Sequence, residues 1–409
     1  MKTDLAREFV NDPQAQQAAE LIRTCVHCGF CTATCPTYQL LGDERDSPRG
    51  RIYLIQQMLE GQPVTRTTQQ HLDRCLSCRA CESTCPSGVQ YAHLLDIGRA
   101  MLEQRVPRPA AERYRRALLG RVLPDARLFD AALGLGRLLR PLLPQRLRRS
   151  LPPAPAATAW PGASHVRKVL LLEGCVQPAL APNINAALAR ILDRLDIQPL
   201  TLPGCCGAVS QHLSHGADAR QRMRRLIDAC WPLVDAGIEA IVITASGCGA
   251  MLKDYGYLLR DDPDYAGRAQ RVSALARDPV ELLAPLSGEL APLLRIAPAV
   301  PLVFQSPCSL QHGQKLQGTV EALLQTLGCE LQPVADAHLC CGSAGTYSLL
   351  QPQLSERLRA AKLANLTAGQ PQLILSANIG CMHHLQAATD IPVRHWLEFV
   401  AARLAVPPG

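Results

Sequence analysis

The sequence predicts an α+β protein in which a small helical region precedes a duplicated α/β region. Two observations carry this prediction. The first hundred residues hold two dense cysteine runs, joined by a segment with helical hydrophobic periodicity, RIYLIQQMLEG. From Arg167 onward, short apolar runs such as KVLLLEG alternate with helical patterns, which is typical of strands and helices in an α/β region.

Composition and hydrophobic pattern divide the 409 residues into four parts. Residues 1–104 are predicted as the helical cysteine-rich domain, and residues 105–165 as a basic helical segment ending in a Pro/Ala-rich linker, LPPAPAATAWPGASH. Prolines do not fit inside a helix or a central strand, so the linker predicts a domain boundary. Residues 166–290 and 291–409 are predicted as two α/β repeats, and the chain is long enough for each part to bury a core.

The duplication is visible once the cysteines are aligned. In each repeat a single cysteine closes an apolar run, a CCG doublet follows, and a last cysteine closes another apolar run. We therefore expect these cysteines at the carboxyl ends of strands and the amino ends of helices, where α/β sheets bind ligands and helix dipoles favour thiolates. The eight cysteines are Cys175, Cys205, Cys206 and Cys248, and Cys308, Cys340, Cys341 and Cys381.

Cysteine content, charge and apolar runs indicate where the protein is located and which role its cysteines have. The first residues show no apolar signal-peptide core, so a cytoplasmic location is expected, and no run reaches the roughly 18 apolar residues of a membrane helix. In that compartment eighteen cysteines favour metal ligation over disulfides. Charge is uneven, because residues 105–149 hold twelve arginines against three acidic residues, a net charge of +9.

The two dense runs, CVHCGFCTATCP and CLSCRACESTCP, share the spacing C-x-x-C-x-x-C-x-x-x-C-P. At this spacing three thiolates converge on a cubane, and in two-cluster ferredoxins the fourth cysteine ligates the other cluster. Structural zinc, which favours separated CxxC pairs, and a redox-active thiol relay are the alternatives. The prediction is two [4Fe-4S] clusters, cluster one on Cys25, Cys28, Cys31 and Cys85, and cluster two on Cys75, Cys78, Cys81 and Cys35.

The chemistry of the CCG cysteines stays open. Four cysteines in each repeat could ligate an additional iron–sulfur or zinc centre or form redox-active thiols, and the alternative is that they are small buried apolar residues. Cys230 and Cys329 lie on apolar faces and are expected in the core. Histidines near the motifs are expected to be surface or core residues rather than ligands: His27, His312, His383 and His384.

Several nucleotide and catalytic motifs are missing. No GxGxxG follows a predicted strand, and GxxxxGK[ST], HExxH and GxSxG do not occur, so no FAD or NAD site is predicted in this chain. Nucleic-acid binding is disfavoured because aromatic residues, 4% of the chain, do not interleave with the basic ones. A chain with iron–sulfur sites and no flavin site is expected to be one subunit of a larger oxidoreductase.

The combined motifs resemble those of the iron–sulfur subunits of bacterial glycolate oxidases. The residues that carry the resemblance are HCGFCTATCPTYQLLGDERDSPRGRIYLIQQMLEG, CLSCRACESTCPSGVQY and the paired CCG repeats. The chain is also similar to heterodisulfide-reductase-type subunits and to the C-type subunits of anaerobic glycerol-3-phosphate dehydrogenases. The resemblance implies two [4Fe-4S] clusters and FAD-binding partner subunits that oxidise glycolate to glyoxylate. It also implies electron delivery to a quinone or another acceptor, and peripheral association with the cytoplasmic face of the inner membrane.

One departure from this family pattern concerns the end of each repeat. Fuller CCG domains end in CxxC, whereas here Cys248 and Cys381 have no second cysteine after them. Three functions follow as hypotheses. The first is an electron-transfer subunit that receives electrons from the oxidation of glycolate or D-lactate. The second is an electron-transfer subunit with a catalytic CCG site, in a heterodisulfide-reductase-like or anaerobic glycerol-3-phosphate dehydrogenase complex, and the third is a zinc-stabilised scaffold. The basic segment, residues 105–149, has three interpretations: it binds a membrane surface, it binds an acidic partner subunit, or it is a solvated surface.

Overall fold

The computed structural model of the protein describes residues 1–142, 158–295 and 300–405, with the single positions 144, 148, 151 and 156 between them. The α+β prediction is confirmed, because helices dominate and the strands form two small parallel sheets. Most of the Pro/Ala-rich linker core, residues 152–155 and 157, lies outside the described residues, as do Arg146 and Arg149 of the basic segment. None of the described helices is long and apolar enough to cross a membrane.

The N-terminal region is helical, as predicted. Asp12 caps the first helix by accepting from the backbone N–H groups of Gln14 and Ala15, and Ser47 caps the fourth helix through Gly50 N. The helices are α1 (Pro13–Arg23), α2 (Phe30–Ala33), α3 (Pro36–Leu41), α4 (Pro48–Leu59), α5 (Arg66–Asp73), α6 (Ala80–Thr84), α7 (Tyr91–Arg105), α8 (Ala110–Val122) and α9 (Ala126–Leu139).

One hydrophobic core joins α1, α4, α5, α6 and α7. Ile22 of α1, Ile55 of α4 and Leu94 of α7 are fully buried in it. Helix α7 ends at Arg105, one residue beyond the predicted limit of the domain. The basic segment continues as α8 and α9, whose outer faces are largely exposed.

The first α/β repeat is built on a parallel sheet of strand order β2-β1-β3-β4. Val169 and Leu171 of β1 face one hydrophobic core, and Leu170 and Leu172 face another, as expected for a parallel strand covered on both sides. The elements are β1 (Arg167–Leu172), α10 (Gln177–Leu180), α11 (Asn183–Asp193), β2 (Ile197–Leu202), α12 (Ala208–His212), α13 (Gly216–Asp235), β3 (Ile241–Ile243), α14 (Ser246–Lys253), α15 (Tyr255–Leu258), α16 (Ala266–Leu275), β4 (Ala276–Arg277), α17 (Pro279–Leu283) and α18 (Ser287–Leu290).

The second repeat has a three-stranded parallel sheet of order β5-β6-β7. Its elements are β5 (Leu302–Gln305), a π-helical turn (Ser309–Gly313), α19 (Thr319–Thr326), α20 (Tyr347–Leu350), α21 (Pro352–Thr367), β6 (Leu373–Ser376), α22 (Ile379–Gln386), β7 (Val393–His395) and α23 (Trp396–Ala402). The two repeats share a core and exchange hydrogen bonds, including Ser246 N to Ala377 O at 3.2 Å.

The expectation that every CCG cysteine follows a strand is wrong in the second repeat. Cys205 and Cys206 come after β2, but the segment before Cys340 makes only a single bridge, between Leu331 and Leu302. Pro333 has no N–H to donate to a ladder, and Asp336 adopts a left-handed φ of 48°, so the segment turns instead of extending. The doublet is therefore positioned by a loop.

Candidate iron–sulfur centres

The two dense cysteine runs fold into matching loops. Each begins where a helix ends, with Cys25 N donating to Ile22 O at 2.9 Å and Cys75 N donating to Leu72 O at 3.2 Å. The residues on either side of the second cysteine are left-handed in both copies. They are His27 (φ 60°) and Gly29 (φ 89°) in the first loop, and Ser77 (φ 52°) and Arg79 (φ 63°) in the second.

This shared backbone shape indicates an anion-binding loop. A left-handed residue other than glycine costs about 1–2 kcal/mol, so its occurrence at His27, Ser77 and Arg79 requires a compensating constraint. Alternating hands of this kind turn successive backbone N–H groups toward one side, which forms a concavity for anions such as thiolate-bound sulfur. Ser77 N, for example, donates to Cys75 Sγ at 3.4 Å.

The cysteines of the two loops line two adjacent cavities. The first is lined by the four cysteines predicted for cluster one and by Pro86. The second is lined by the four predicted for cluster two. Cys81 borders both cavities. The sets are Cys25, Cys28, Cys31 and Cys85 in the first cavity, and Cys35, Cys75, Cys78 and Cys81 in the second.

The fourth cysteine of each run reaches the other run's cavity. Cys35 leaves its own loop at the start of α3, and Cys85 leaves its loop at the end of α6. Hydrogen bonds from Thr34 Oγ1 to Ala80 O at 3.4 Å and from Thr84 Oγ1 to Thr34 Oγ1 at 3.2 Å join the two crossing segments. This juxtaposition is what an exchange of fourth ligands requires.

A fully buried arginine lies beside the second cavity. Arg51 donates through Nε to His71 O at 2.7 Å and through Nη1 to Thr37 Oγ1 at 3.1 Å, and Thr37 Oγ1 lies 3.3 Å from Cys35 Sγ. Burial works to lower the pKa of Arg51, but its electrostatic interactions with Cys75, Tyr91, Cys35 and Asp46 outweigh burial and raise it. Arg51 therefore places a permanent positive charge next to the proposed ligands of cluster two.

Asp46 balances that charge. Its carboxylate accepts from Arg74 at 2.9 Å and His71 Nδ1 at 3.0 Å, and Arg51 Nη2 lies 3.4 Å away. Although Asp43, Asp46 and His71 are close enough together to suit a metal ion, the arginines already occupy these carboxylates, because Arg45 also binds Asp43. The sequence analysis missed this network, although Arg51 stands on the same helical face as Ile55 and could have been suspected of being buried.

The two loops differ in what covers them. Val26 and Phe30 of the first loop are 68% and 61% exposed. The equivalent residues of the second loop, Leu76 and Ala80, are 5% and 1% exposed. Leu76 is buried in a small apolar cluster with Tyr347 and other residues of the second α/β repeat.

The contact between the second loop and the second repeat brings cysteines together. Cys78 and Cys308 both pack on the cluster that contains Leu76 and Cys340. Burial raises the pKa of Cys78 most, and the neighbouring Cys308 raises it further. Next to this contact, Ser83 Oγ lies 2.9 Å from His312 Nδ1, whose ring also bonds His338 O through Nε2 at 2.9 Å. His312 is thus a buried, hydrogen-bonded residue.

The cysteines of the two repeats are arranged differently. In the first repeat Cys205 is the neighbour that raises the pKa of Cys175 most, and Cys248 is the neighbour that raises the pKa of Cys206 most. In the second repeat Cys308 Sγ lies 3.7 Å from Cys340 Sγ, and the neighbouring Cys381 raises the pKa of Cys341. All eighteen cysteines are free of disulfides.

The spacing of the sulfur atoms distinguishes one metal ion from a cluster. A tetrahedral zinc ion with Zn–S bonds of about 2.3 Å brings its four sulfur atoms within about 3.8 Å of one another. Among the described residues, no three cysteine sulfurs lie within 4.8 Å of each other. No four-cysteine set among the described residues is therefore already arranged for a tetrahedral zinc ion.

The remaining candidate residues have structural places. Cys230 and Cys329 are buried in hydrophobic cores, as predicted. His27 is exposed, and His384 Nε2 lies 3.2 Å from Ser355 Oγ, whereas His383 Nε2 has no hydrogen-bond partner among the described residues.

Comparison with known proteins agrees with these features. Residues 21–89 match the family described as "4Fe-4S dicluster domain", and residues 169–253 and 302–386 match "Cysteine-rich domain". The chain is 53% identical to the glycolate oxidase iron-sulfur subunit of Escherichia coli K12 over 99% of both chains. The protein belongs to the glycolate oxidase iron–sulfur subunit family.

Two more distant relatives match different shares of the chain. A probable glycolate oxidase iron-sulfur subunit of Bacillus subtilis 168 is 30% identical over 90% of this chain and 88% of its own length. Lactate utilization protein A of Geobacillus thermodenitrificans is 27% identical over 53% of this chain and 90% of its own length. The relatives are thus named for the use of two related 2-hydroxy acids.

Proposed function

We propose that this chain is the electron-transfer subunit of a glycolate-oxidising complex. FAD-bearing partner subunits oxidise glycolate to glyoxylate, and this chain conducts the electrons toward a quinone or another acceptor. D-lactate is a second candidate substrate of the partners, since a relative is named for lactate utilization. The observation that carries the proposal is the pair of adjacent cysteine-lined cavities with Cys81 in the wall between them.

Two kinds of residue surround the proposed [4Fe-4S] clusters: cysteine ligands, and polar residues that interact with the ligand sulfur atoms. A bound cluster of this type carries one electron at a time, which suits a flavin that releases two electrons in single steps. Ser77 N and Tyr91 Oη hydrogen-bond Cys75 Sγ at 3.4 and 3.7 Å, and hydrogen bonds to ligand sulfur help set the reduction potential. Arg51 supports added negative charge on the same side.

The exposed first loop is the proposed docking site for the flavin-bearing partner. In the second loop the equivalent face is buried against another part of the same chain, so this face is suited to packing. In the first loop Val26 and Phe30 leave it open beside the exposed Cys28. A partner that covers these residues would bring its flavin next to the first cavity and would exclude water from the contact.

A charge placed on this face should therefore block electron entry. We expect Phe30→Asp to slow reduction of the clusters by glycolate at least tenfold in the reconstituted complex, since burial of a phenylalanine contributes about 1.5–3 kcal/mol and a buried carboxylate adds a desolvation cost. Stopped-flow absorbance would follow the flavin and the clusters separately. Reduction of the flavin should be unchanged.

The matched control is Val166→Asp, at a residue that is 97% exposed and far from both loops in sequence. It should leave the rate unchanged. If Phe30→Asp transferred electrons at the rate of the unmodified chain, with dithionite-reduced cluster spectra intact in both, the docking site and the proposed direction of electron flow would be wrong.

The second part of the proposal is peripheral association with the cytoplasmic face of the inner membrane, through α8 and α9. Leu135 and Leu138 of α9 and Leu142 just beyond it are 57%, 76% and 82% exposed. Arginines of the same segment, such as Arg115 of α8 and Arg127 of α9, are also exposed. Segments that expose both leucines and arginines are typical of helices that lie in the membrane interface, where each basic residue contributes about 1 kcal/mol with anionic lipid.

Part of the basic charge of this segment is used inside the protein. The side chains of Arg108 and Arg116 are buried, and they bind Asp73, Glu103 and Glu112. Burial lowers the pKa of Arg116, whereas in Arg108 the bonds to the carboxylates outweigh burial and raise the pKa. These two arginines attach α8 to the N-terminal domain. The surface charge is therefore smaller than the sequence count suggests, and the exposed leucines carry much of the proposed affinity.

Vesicle binding tests the membrane proposal. We expect the chain to bind vesicles containing phosphatidylglycerol and to release them as salt is raised, because surface charge is screened. The double variant Leu138→Glu and Leu142→Glu should bind at least tenfold more weakly, since it replaces apolar contacts with charges repelled by the lipid. Leu349→Glu, at an exposed leucine of the second repeat, is the control. Equal binding of all three proteins in a flotation assay would contradict the proposal.

A further inference from the structure

A large cleft lies between the N-terminal domain and the first α/β repeat. Helices α1 and α7 form one wall, and α13 and α15 with the turn after α15 form the other. Its volume of about 680 Å³ falls within the range of about 300–1,000 Å³ that is typical of small-molecule sites. Ile97 and Leu258 give it apolar surface, whereas Gln17, Asp96 and Arg220 supply polar groups. The cleft therefore suits a small organic molecule that has both apolar and polar parts.

Two stacked rings contribute to the wall of the cleft. The ring centroids of His93 and Tyr257 are 3.6 Å apart, and the ring planes differ by 10°. His93 is 8% exposed, and its Nε2 has no hydrogen-bond partner in the part of the chain that the structure describes, since Asp254 Oδ2 is 3.8 Å away. A buried polar nitrogen without a partner costs about 1–3 kcal/mol. A histidine of this kind in the wall of a cleft favours a role in binding or catalysis.

An arginine connects the cleft to the second cysteine loop. Arg79 stands between two of the proposed ligands of cluster two, and its Nη1 binds Asp254 Oδ2 at 2.8 Å, the same oxygen that lies 3.8 Å from His93. The equivalent residue of the first loop is Gly29, and both residues are left-handed. Glycine adopts this backbone without strain, whereas any other residue costs about 1–2 kcal/mol. The side chain of Arg79 must compensate that cost, and its link to Asp254 is the contact that the first loop lacks.

The burial of the second loop limits which acceptor can take electrons from cluster two. Leu76 and Ala80 of this loop are 5% and 1% exposed, whereas the first loop, the proposed entry, is open. A large acceptor protein cannot reach a covered loop, but a small molecule in the cleft is connected to it through Asp254 and Arg79. A small organic acceptor of two electrons also needs protons, and the imidazole of His93 can exchange them near neutral pH.

Helix α13 joins the cleft to the proposed membrane-binding segment. Arg222 Nη1 donates to Pro124 O, between α8 and α9, at 3.4 Å. A side chain added at Gly120 of α8 would meet His215, directly before α13. Arg220 of the same helix lines the cleft. The cleft thus lies beside helices that are proposed to contact the membrane, which favours a lipid-soluble acceptor.

We propose that this cleft is the acceptor site, that it binds the head group of a quinone, and that His93 is the catalytic residue that transfers protons to it. The inference rests on the proposed function for the presence of cluster two and for electron entry at the first loop. Two electrons leave cluster two one after the other, and two protons reach the quinone oxygens through His93 from water in the cleft. The two C=O groups become the C–OH groups of a hydroquinone. Arg79 is a positioning residue that fixes Asp254 and the second loop beside His93, and Arg220 attracts the quinone oxygens as they gain negative charge.

Stopped-flow oxidation of the isolated holoprotein tests this site. The clusters are reduced with stoichiometric dithionite and mixed anaerobically with ubiquinone-1, and the cluster absorbance is followed. The rate should saturate as the concentration of ubiquinone-1 rises. His93→Phe keeps a ring for the stack and should lower the limiting rate by about tenfold or more, since a positioned proton donor contributes about 10²–10⁴-fold. Ferricyanide, which takes one electron and no proton, should oxidise both proteins at the same rate.

Further variants separate binding from positioning and keep the test decisive if His93→Phe does not accumulate. Arg79→Gly reproduces the first loop and should slow oxidation by ubiquinone-1, and Arg79→Lys, which keeps the charge, should restore part of the rate. Arg220→Glu, at an exposed residue, should raise the half-saturating concentration of ubiquinone-1 severalfold. Its matched control is Arg225→Glu, at an exposed arginine of the same helix outside the cleft, which should leave that concentration unchanged.

Four results would overturn the inference. The first is a rate that rises linearly with ubiquinone-1 and never saturates, and the second is an unchanged rate in both His93→Phe and Arg79→Gly. The third is equal weakening by Arg220→Glu and Arg225→Glu, which would place binding outside the cleft. The fourth is an equal loss of rate with ferricyanide and ubiquinone-1 in His93→Phe, which would show general damage in place of a lost proton donor.

These measurements need no partner subunit. Saturable oxidation by ubiquinone-1 of a protein that receives no electrons from glycolate would contradict the proposed function and leave this inference standing. A complex in which glycolate reduces the clusters of this chain, while ubiquinone-1 oxidises them without saturation, would do the reverse.

Discussion

Cys35→Ser is expected to remove the second cluster and leave the first. Cys35 belongs to the first cysteine run, but its sulfur lies in the cavity lined by Cys75, Cys78 and Cys81. Serine is a much poorer ligand for iron than a thiolate, so the centre in that cavity should be lost or converted to a three-iron form. Transfer of electrons from glycolate to a quinone should fall by at least two orders of magnitude, because the path then lacks one of its two clusters. This factor corresponds to about 2.7 kcal/mol of added barrier.

The matched variant is Cys85→Ser, which should affect the first cluster instead, because Cys85 lies in the cavity with Cys25, Cys28 and Cys31. EPR of the dithionite-reduced proteins, with iron counted per chain, distinguishes the two. If Cys35→Ser changed only the centre of Cys25, Cys28 and Cys31, each run would hold its own cluster and the exchanged ligand sets would be wrong.

Arg51→Met is expected to produce the largest loss of stability. Arg51 is fully buried, and its removal leaves Asp46 with less compensation and leaves His71 O and Thr37 Oγ1 without a donor. Breaking a buried ion pair from one side costs about 3–5 kcal/mol. Urea unfolding of the iron-loaded protein under anaerobic conditions should show a lower midpoint, and the free energy of unfolding should be smaller by that amount.

Arg45→Met is the control for Arg51. Arg45 pairs with Asp43 at 2.7 Å, but its side chain is 56% exposed, so its loss should cost far less stability than the loss of Arg51. Similar midpoints for the two variants would show that the buried network adds little to stability. A lowered potential of the second cluster in Arg51→Met, measured on the folded fraction, is expected in addition because a nearby positive charge is lost.

Much of the candidate site follows from local spacing. The interval between the cysteines of each run, and the proline after it, predict both the loops and the direction in which Cys35 and Cys85 leave them. Helix caps such as Asp12 and Ser47 are local in the same sense. Features of this kind depend on residues a few positions apart, so the sequence alone indicates them.

Features that depend on distant contacts were not predictable in this way. Leu76 and Val26 occupy the same place in two similar motifs, yet one is buried and the other exposed, because only the second loop meets the second repeat. Ser77 and Arg79 carry no glycine signal for their left-handed backbone. Lys362 lies in a helix of mixed polarity, yet it is buried, because its Nζ donates to the backbone oxygens of Asp336 and Ala337 in a loop distant in sequence.

The basic segment shows the same limit for charge. The sequence contains one stretch of positive charge, but in the structure Arg108 and Arg116 form buried ion pairs with Asp73 of the N-terminal domain. The loop that precedes Cys340 is a further case, since an apolar pattern predicted a strand and Pro333 interrupts it. Pairing partners and ion pairs are properties of the folded chain, and sequence patterns indicate them only in part.

Electron transfer from substrate through this chain is the central claim, and rapid freeze-quench EPR of the reconstituted complex tests it most directly. After anaerobic mixing with glycolate, the account predicts that reduced [4Fe-4S] signals from this chain rise at least as fast as the complex turns over, and that they decay when a quinone is added. Steady oxidation of glycolate with a quinone while the clusters of this chain stay oxidised and are never reduced on the timescale of turnover would contradict it.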